Sequence, residues 1–149
     1  ILETLDHSRA GVGAFGVGIG QRCVEEAAKY AKQRKQFGVS VSTFQSVQNM
    51  LADMEIQVQA SRQAYLHAAE LMDAGLPFTA EAAIAKTIGT DTGMKCAVDG
   101  VQIMGGYGYM KDYPMEKLMR DAKILQIYEG TNQIQKIVIS GAVLSGKGH

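Results

Sequence analysis

The sequence predicts an all-α domain: an up-down four-helix bundle with a short broken helix near the C-terminus. Apolar residues recur at steps of three and four over long stretches, which is the period of a helix face. Two prolines, no tryptophan and eight methionines in 149 residues favour helices over a sandwich or barrel. No segment alternates over the length of a strand; Val138-Ile139 comes nearest, yet Ile134, Ile137, Val138 and Gly141 fit a helical face better.

The first helix is expected from Ser8 to about Gln36, burying Phe15, Ile19, Cys23, Ala27 and Tyr30, with Asp6-His7-Ser8-Arg9 as its N-terminal cap. Its start spells Gly11-Val12-Gly13-Ala14-Phe15-Gly16, the GxGxxG of dinucleotide folds. That motif needs a preceding strand so that the helix start can cradle a pyrophosphate, and here a polar stretch precedes it. Close helix–helix contact is the better reading of these small residues. The second helix is the clearest: Phe44, Val47, Leu51, Met54, Val58, Ser61, Tyr65, Ala68 and Met72 form one stripe, and Asp53, Glu55, Gln57 and Gln59 fall off it. It should end near Gly75, with Pro77 beyond. A third helix is expected from Ala80 to about Met104 with Ile84, Ile88, Met94, Val98 and Val101 inward. Turn chemistry follows from Gly105 to Pro114, then a helix from Met115 to about Tyr128, a break at Gly130, and a last helix from Asn132 to Leu144. Residues 145–149 read as a frayed tail.

Lys+Arg 15 balances Asp+Glu 15, which argues against a nucleic-acid partner, and no apolar run reaches the length of a bilayer span. Cys23 and Cys96 lie far apart in apolar helical patterns and are expected to be buried, reduced thiols. His7 and His67 lack a second ligand at useful spacing, so no metal site is expected.

Four patches hold residues a bundle does not need. Arg34-Lys35-Gln36-Phe37-Gly38 is either a basic helix end closed by Gly38 or an anion clamp built on the Arg34 guanidinium. Gln102-Ile103-Met104-Gly105-Gly106-Tyr107-Gly108-Tyr109 is either a terminator with packing aromatics or a loop that lets a planar or phosphorylated ligand approach the backbone. In Tyr128-Glu129-Gly130-Thr131-Asn132-Gln133 a carboxylate follows an apolar run beside a glycine. Water-excluded surface makes a carboxylate more basic, which suits a general base. The plainer account is a solvated Glu129 at a helix break, with Asn132 capping the next helix and Gln135 in the box position. The fourth patch is Asp6-His7-Ser8-Arg9.

Taken in order over nearly the whole chain, these patches resemble the C-terminal helical domain of the acyl-CoA dehydrogenase family, and so do Leu51-Ala52-Asp53-Met54 and Arg120-Asp121-Ala122-Lys123. The resemblance implies FAD-dependent α,β-dehydrogenation of an acyl-CoA thioester, with Glu129 as the base that removes the α-proton. In one group of branches the base stands in the Tyr-Glu-Gly-Thr motif, as here; in the isovaleryl and long-chain branches it comes from the position of Ser8. The resemblance is therefore to the short- or medium-chain branch, with glutaryl-type members left open. It further implies flavin contacts at Arg34, Phe37 and Gln45, at Gln102, Ile103, Met104, Gly105 and Gly106 across a subunit boundary, and at Thr131, Asn132 and Gln133 in the same subunit. Thioester and CoA contacts are implied at Asp6, His7, Ser8, Arg9 and Gly130.

Family members carry a helical N-terminal domain and a middle β-domain ahead of this part, so the 149 residues are expected to be the C-terminal domain of a longer enzyme, folding alone but turning over no substrate and holding FAD weakly. The resemblance also implies a homotetramer, an electron-transferring flavoprotein as acceptor, and a location in the cytoplasm of a bacterium or the mitochondrial matrix of a eukaryote. The alternatives are an acyl-CoA oxidase-like enzyme and a non-catalytic helical oligomerisation module.

Overall fold

The computed structural model describes residues 2–146, with side chains from residue 5 onward; residues 147–149 of the expected tail lie outside the described residues. The chain runs α1 (Leu2–Gln33), a two-stranded hairpin of β1 (Lys35–Gln36) and β2 (Val39–Ser40), a 3-10 turn (Val41–Thr43), α2 (Gln45–Asp73), α3 (Thr79–Met104), a second 3-10 stretch (Gly105–Tyr109), α4 (Met115–Leu125) and α5 (Asn132–Leu144).

The second helix is built as its stripe predicts: Met54, Val58, Ser61 and Ala68 are buried and the remaining stripe residues half-buried. It stops at the expected place, with Gly75 at φ 66 and the Leu76 N–H returning to the Leu71 carbonyl at 3.0 Å. The first helix starts earlier than expected, at Leu2, so Asp6 to Arg9 lie within it and do not cap it. It also ends at Gln33, because Arg34 onward turns into the hairpin, Lys35 pairing with Ser40 and Gln36 with Val39. Gly38 is therefore not a helix stop. It shares with Phe37 a tight turn in which both residues take positive φ (53 and 80), the conformation that two-residue hairpins require.

The central pair is α1 against α3, in parallel, and its contact surface is glycine. A Cβ added at Gly16 would lie 2.3 Å from the Gly89 carbonyl oxygen, and one at Gly13 would lie 2.5 Å from that of Ala85. The backbones touch, as the reading of the glycine motif as helix contact requires. This contact displaces the expected faces. Phe15 is 63% exposed, while Val12, Val17, Cys23, Ala27 and Ala31 are buried. On α3, Ile84 and Val98 face out, and Ala82, Ala85, Gly89, Gly93, Cys96, Ala97 and Gly100 face in. Ile88, Met94 and Val101 are half-buried, with Met94 and Val101 packed on the core as expected. Only Ile84 and Val98 of the five expected residues lie on the wrong face, because the surface against α1 must be small. α2 lies antiparallel to both, Ser61 Oγ meeting Thr92 Oγ1 at 2.7 Å, and both thiols are buried and free.

The fourth column of the bundle is α4 and α5 end to end, each antiparallel to α3. Met115 packs on Gly100 near one end of α3, and Asn132 reaches Lys86 and Thr90 further back. α4 ends at Leu125, a turn short of the expected Tyr128, which leaves an interruption at residues 126–131 halfway along α3.

Candidate active site

The interruption is shaped by its backbone. α4 closes in tight turns, Gln126 N–H to the Lys123 carbonyl and Tyr128 N–H to that of Ile124, and the chain then passes through two left-handed residues, Glu129 (φ 57) and Gly130 (φ 90). Only glycine takes the second geometry without strain, and a Cβ there would also strike Gln135 Nε2 at 2.6 Å. Thr131, not Asn132, caps α5, its hydroxyl accepting from the Ile134 N–H. Gln135 is fully buried and does not form a capping box: its Nε2 donates to the carbonyls of Gly130 (3.2 Å) and Glu129 (3.4 Å).

Left-handed backbone at Glu129 swings its half-buried side chain toward α1, where Ser8 Oγ donates to Oε2 at 2.8 Å. The two positions that a base occupies in different branches of the resembling family thus meet in space. Around them Arg9 Nη1 binds Asp6 Oδ1 at 2.6 Å, and Thr79 donates to Asp6 Oδ2 at 2.7 Å, fastening the start of α3 to α1. Arg9 is buried, so its role within this chain is to hold Asp6. His7 is exposed, its ring edge-on to Phe78 at 5.0 Å.

Sequence reasoning missed the floor of this site. Lys86 on α3 is fully buried, and its Nζ donates to Asn132 Oδ1 at 2.7 Å. Asn132 Nδ2 donates in turn to Thr90 Oγ1 (2.9 Å) and to Asp91 Oδ1 (2.7 Å), and Gln126 Nε2 donates to the same Asp91 oxygen (2.7 Å). Burial pushes the Lys86 ammonium down to about 8, against the opposing pull of Asp91 and Glu129 and with the help of Arg9. The signal was available: residues three and four away from Lys86 are Ala82, Ala83, Gly89 and Thr90, all small. Asn132, taken as a cofactor contact by resemblance, has its whole amide engaged in this network. Thr131, Asn132 and Gln133 all line a cleft of about 330 Å³ over Asp91, together with Lys123 and Lys136.

The other predicted residues gather at the far end of α1 and α3. Arg34, Gln102, Ile103, Met104, Gly105 and Gly106 line a cleft of about 640 Å³ together with Tyr30 and Tyr107. The Arg34 guanidinium lies 5.5 Å over the Tyr107 ring and has no carboxylate partner among the described residues, and Gly105 turns the chain at φ 60. Phe37 stands 92% exposed at the hairpin tip, edge-on to Phe44, and Gln45 opens α2 on the surface. Ser8 and Arg34 are joined by α1, so the two ends lie on the order of 40 Å apart at 1.5 Å per residue. Within one chain they cannot touch the same small ligand.

A parallel glycine-packed helix pair, crossed by a broken helix that turns a carboxylate onto the first helix, makes this an all-helical bundle domain. The family is equally plain: residues 1–144 match the model of the acyl-CoA dehydrogenase C-terminal domain, and the chain belongs to that family. It is 47% identical over 142 residues to the short-chain specific acyl-CoA dehydrogenase of Clostridium acetobutylicum, covering 95% of this chain and 38% of the relative. Butyryl-CoA dehydrogenase from Megasphaera elsdenii superposes with a TM-score of 0.95 at 48% identity, over 96% of this chain and 37% of that one. A chain from the structure of the electron transferring flavoprotein of Acidaminococcus fermentans superposes equally well, at 50% identity over 96% of this chain and 38% of that one. The chain thus spans less than two fifths of the length of these relatives.

Proposed function

We propose that this chain is the proton-abstracting part of an FAD-dependent acyl-CoA dehydrogenase acting on short- or medium-chain thioesters, with Glu129 as the base. The observation that carries the reading is the hydrogen bond from Ser8 to Glu129 Oε2 at 2.8 Å, which holds the carboxylate against α1 beside a break that Gly130 keeps open. A carboxylate held in place by a hydroxyl donor accepts a proton without first reorganising. Glu129 takes the α-proton of the thioester; the electron pair of that C–H bond forms the α,β double bond as the β-hydrogen departs with its own pair. Bound FAD supplies the acceptor for that hydride. The residues fit such a cofactor: the cleft at the far end combines an uncommitted guanidinium, a side-chain amide and a glycine turn open to a planar anionic group.

The 40 Å between the two ends means that a complete flavin site draws one end from each of two copies, which supports a homo-oligomer. Likeness to a chain in an electron transferring flavoprotein structure supports that class of protein as the electron acceptor. The test is Glu129→Gln in the flavin-loaded holoenzyme. Deuterium exchange at the α-carbon of bound butyryl-CoA is expected to stop while flavin content is kept. Exchange at the original rate would overturn the assignment.

A further inference from the structure

The break that carries Glu129 hangs on one side from α1, through Ser8, and on the other from α3. The α3 attachment centres on the amide of Asn132. Asn132 closes the break by its own N–H to the Gln126 carbonyl (3.1 Å), and its side chain is oriented without ambiguity. Lys86 can only donate and Asp91 can only accept, so Oδ1 must face the ammonium and Nδ2 the carboxylate. Three groups of α3, Lys86, Thr90 and Asp91, therefore fix where residues 126–132 lie, and Gln126 adds a second tie to Asp91. A fully buried lysine on a helix whose neighbouring inward residues are alanine, glycine, threonine and cysteine is costly unless its ammonium is hydrogen-bonded, and here Asn132 supplies that bond.

We infer that Lys86 is a positioning residue for the base: through Asn132 it sets the break that presents Glu129. This rests on Glu129 being the base. Without the ammonium nothing charged holds Asn132 Oδ1, the amide is free to turn, and the attachment of the break to α3 loosens.

The experiment measures α-carbon deuterium exchange of bound butyryl-CoA in the flavin-loaded holoenzyme, per bound flavin. Lys86→Met is expected to lower exchange roughly tenfold, and Asn132→Ala to lower it by at least as much. Because Lys86 acts through Asn132, the double variant is expected to lose no more than Asn132→Ala alone. Should one single variant fail to bind flavin, the double variant is compared with the other. A purely structural lysine would lower flavin content and leave exchange per bound flavin unchanged. Unchanged exchange in Lys86→Met, or losses that add in the double variant, overturns the inference. Glu129→Gln runs alongside: exchange that persists there defeats the assignment of the base, whereas exchange lost there with no loss in Lys86→Met defeats only the role of Lys86.

Discussion

Glu129 occupies a backbone conformation that costs a non-glycine residue on the order of 1 kcal/mol, and it does so next to a glycine at φ 90. The return is direction: a right-handed residue at this point would continue α4 and carry the carboxylate away from Ser8. Two outcomes follow at this scale. Ser8→Ala removes the hydrogen bond to Oε2, and bonds of that kind to a charged group contribute about 1.5–3 kcal/mol, less where water competes as it does at this half-buried site. Proton abstraction is expected to fall about tenfold in Ser8→Ala and to be retained in Ser8→Thr, which keeps the donor; exchange kinetics of the two variants decide it. Gly130→Ala meets both the positive φ and the Gln135 amide at 2.6 Å, and is expected to cost about 2–3 kcal/mol in urea unfolding. Glu129 and Gly130 stood out in the sequence because a carboxylate between an apolar run and a glycine is locally odd, and the family resemblance, not the local pattern, gave Glu129 its expected role. Lys86 was passed over although the small residues around it on α3 mark an inward position. Its partner Asn132 is 46 residues distant, so no local motif joins the two.

The helices themselves divide into those whose period reveals their face and those whose packing overrides it. α2 buries one side against α1 and α3, so its heptad-like stripe is its inner face. α3 is contacted by α1, α2, α4 and α5, and where its backbone meets α1 the inner residues are small, with Ile84 and Val98 outside. Large apolar residues are buried on it only toward its C-terminal end, at Ile103 and Met104. Counting large apolar residues finds the first kind of helix and misplaces part of the second, and the same close contact put Phe15 on the wrong side of α1. The hairpin was missed because two residues per strand carry no alternation to detect. The break at Gly130 was legible because the glycine is a local signal, although the cap of α5 is Thr131 and not the expected Asn132, and α4 stops three residues early at Leu125. Glycines of the two kinds should respond oppositely to alanine. Gly16→Ala drives a Cβ to 2.3 Å from the Gly89 carbonyl oxygen and must part α1 from α3, with an expected loss of at least about 3 kcal/mol. Gly18→Ala, on the same helix with nothing within 4 Å, is expected to gain about 0.5–1 kcal/mol from the lower entropy of the unfolded chain. Denaturant midpoints of the two variants, measured side by side, test whether the glycine face is the seam.

For the molecule as a whole, the buried ionisable groups set an alkaline optimum of stability. Lys86 is pushed down to about 8 from 10.5, so between those values the unfolded chain holds a proton that the folded chain has released, and stability rises with pH at up to about 1.4 kcal/mol per unit. Cys23 and Cys96 are pushed the other way, from 9.0 to about 12 and about 11, chiefly by burial. Above pH 9 the folded chain keeps two thiol protons that the unfolded chain gives up, so each thiol lowers stability as pH rises, and together they outweigh Lys86. Tyr30 and Lys95, both raised from 10.0 and 10.5, add to the decline above pH 10. The three buried groups therefore predict a maximum near pH 9, about 0.5 kcal/mol above the value at pH 7, followed by a fall. Urea unfolding of the chain at pH 7, 8, 9 and 10.5 under reducing conditions measures it. Lys86→Met should abolish the rise between pH 8 and 9 while leaving the fall, and Cys23→Ala should flatten the fall while leaving the rise. A maximum at neutral pH in the unaltered chain, or a rise that survives Lys86→Met, would mean that the ammonium is solvated in solution and that the floor beneath Glu129 is built differently.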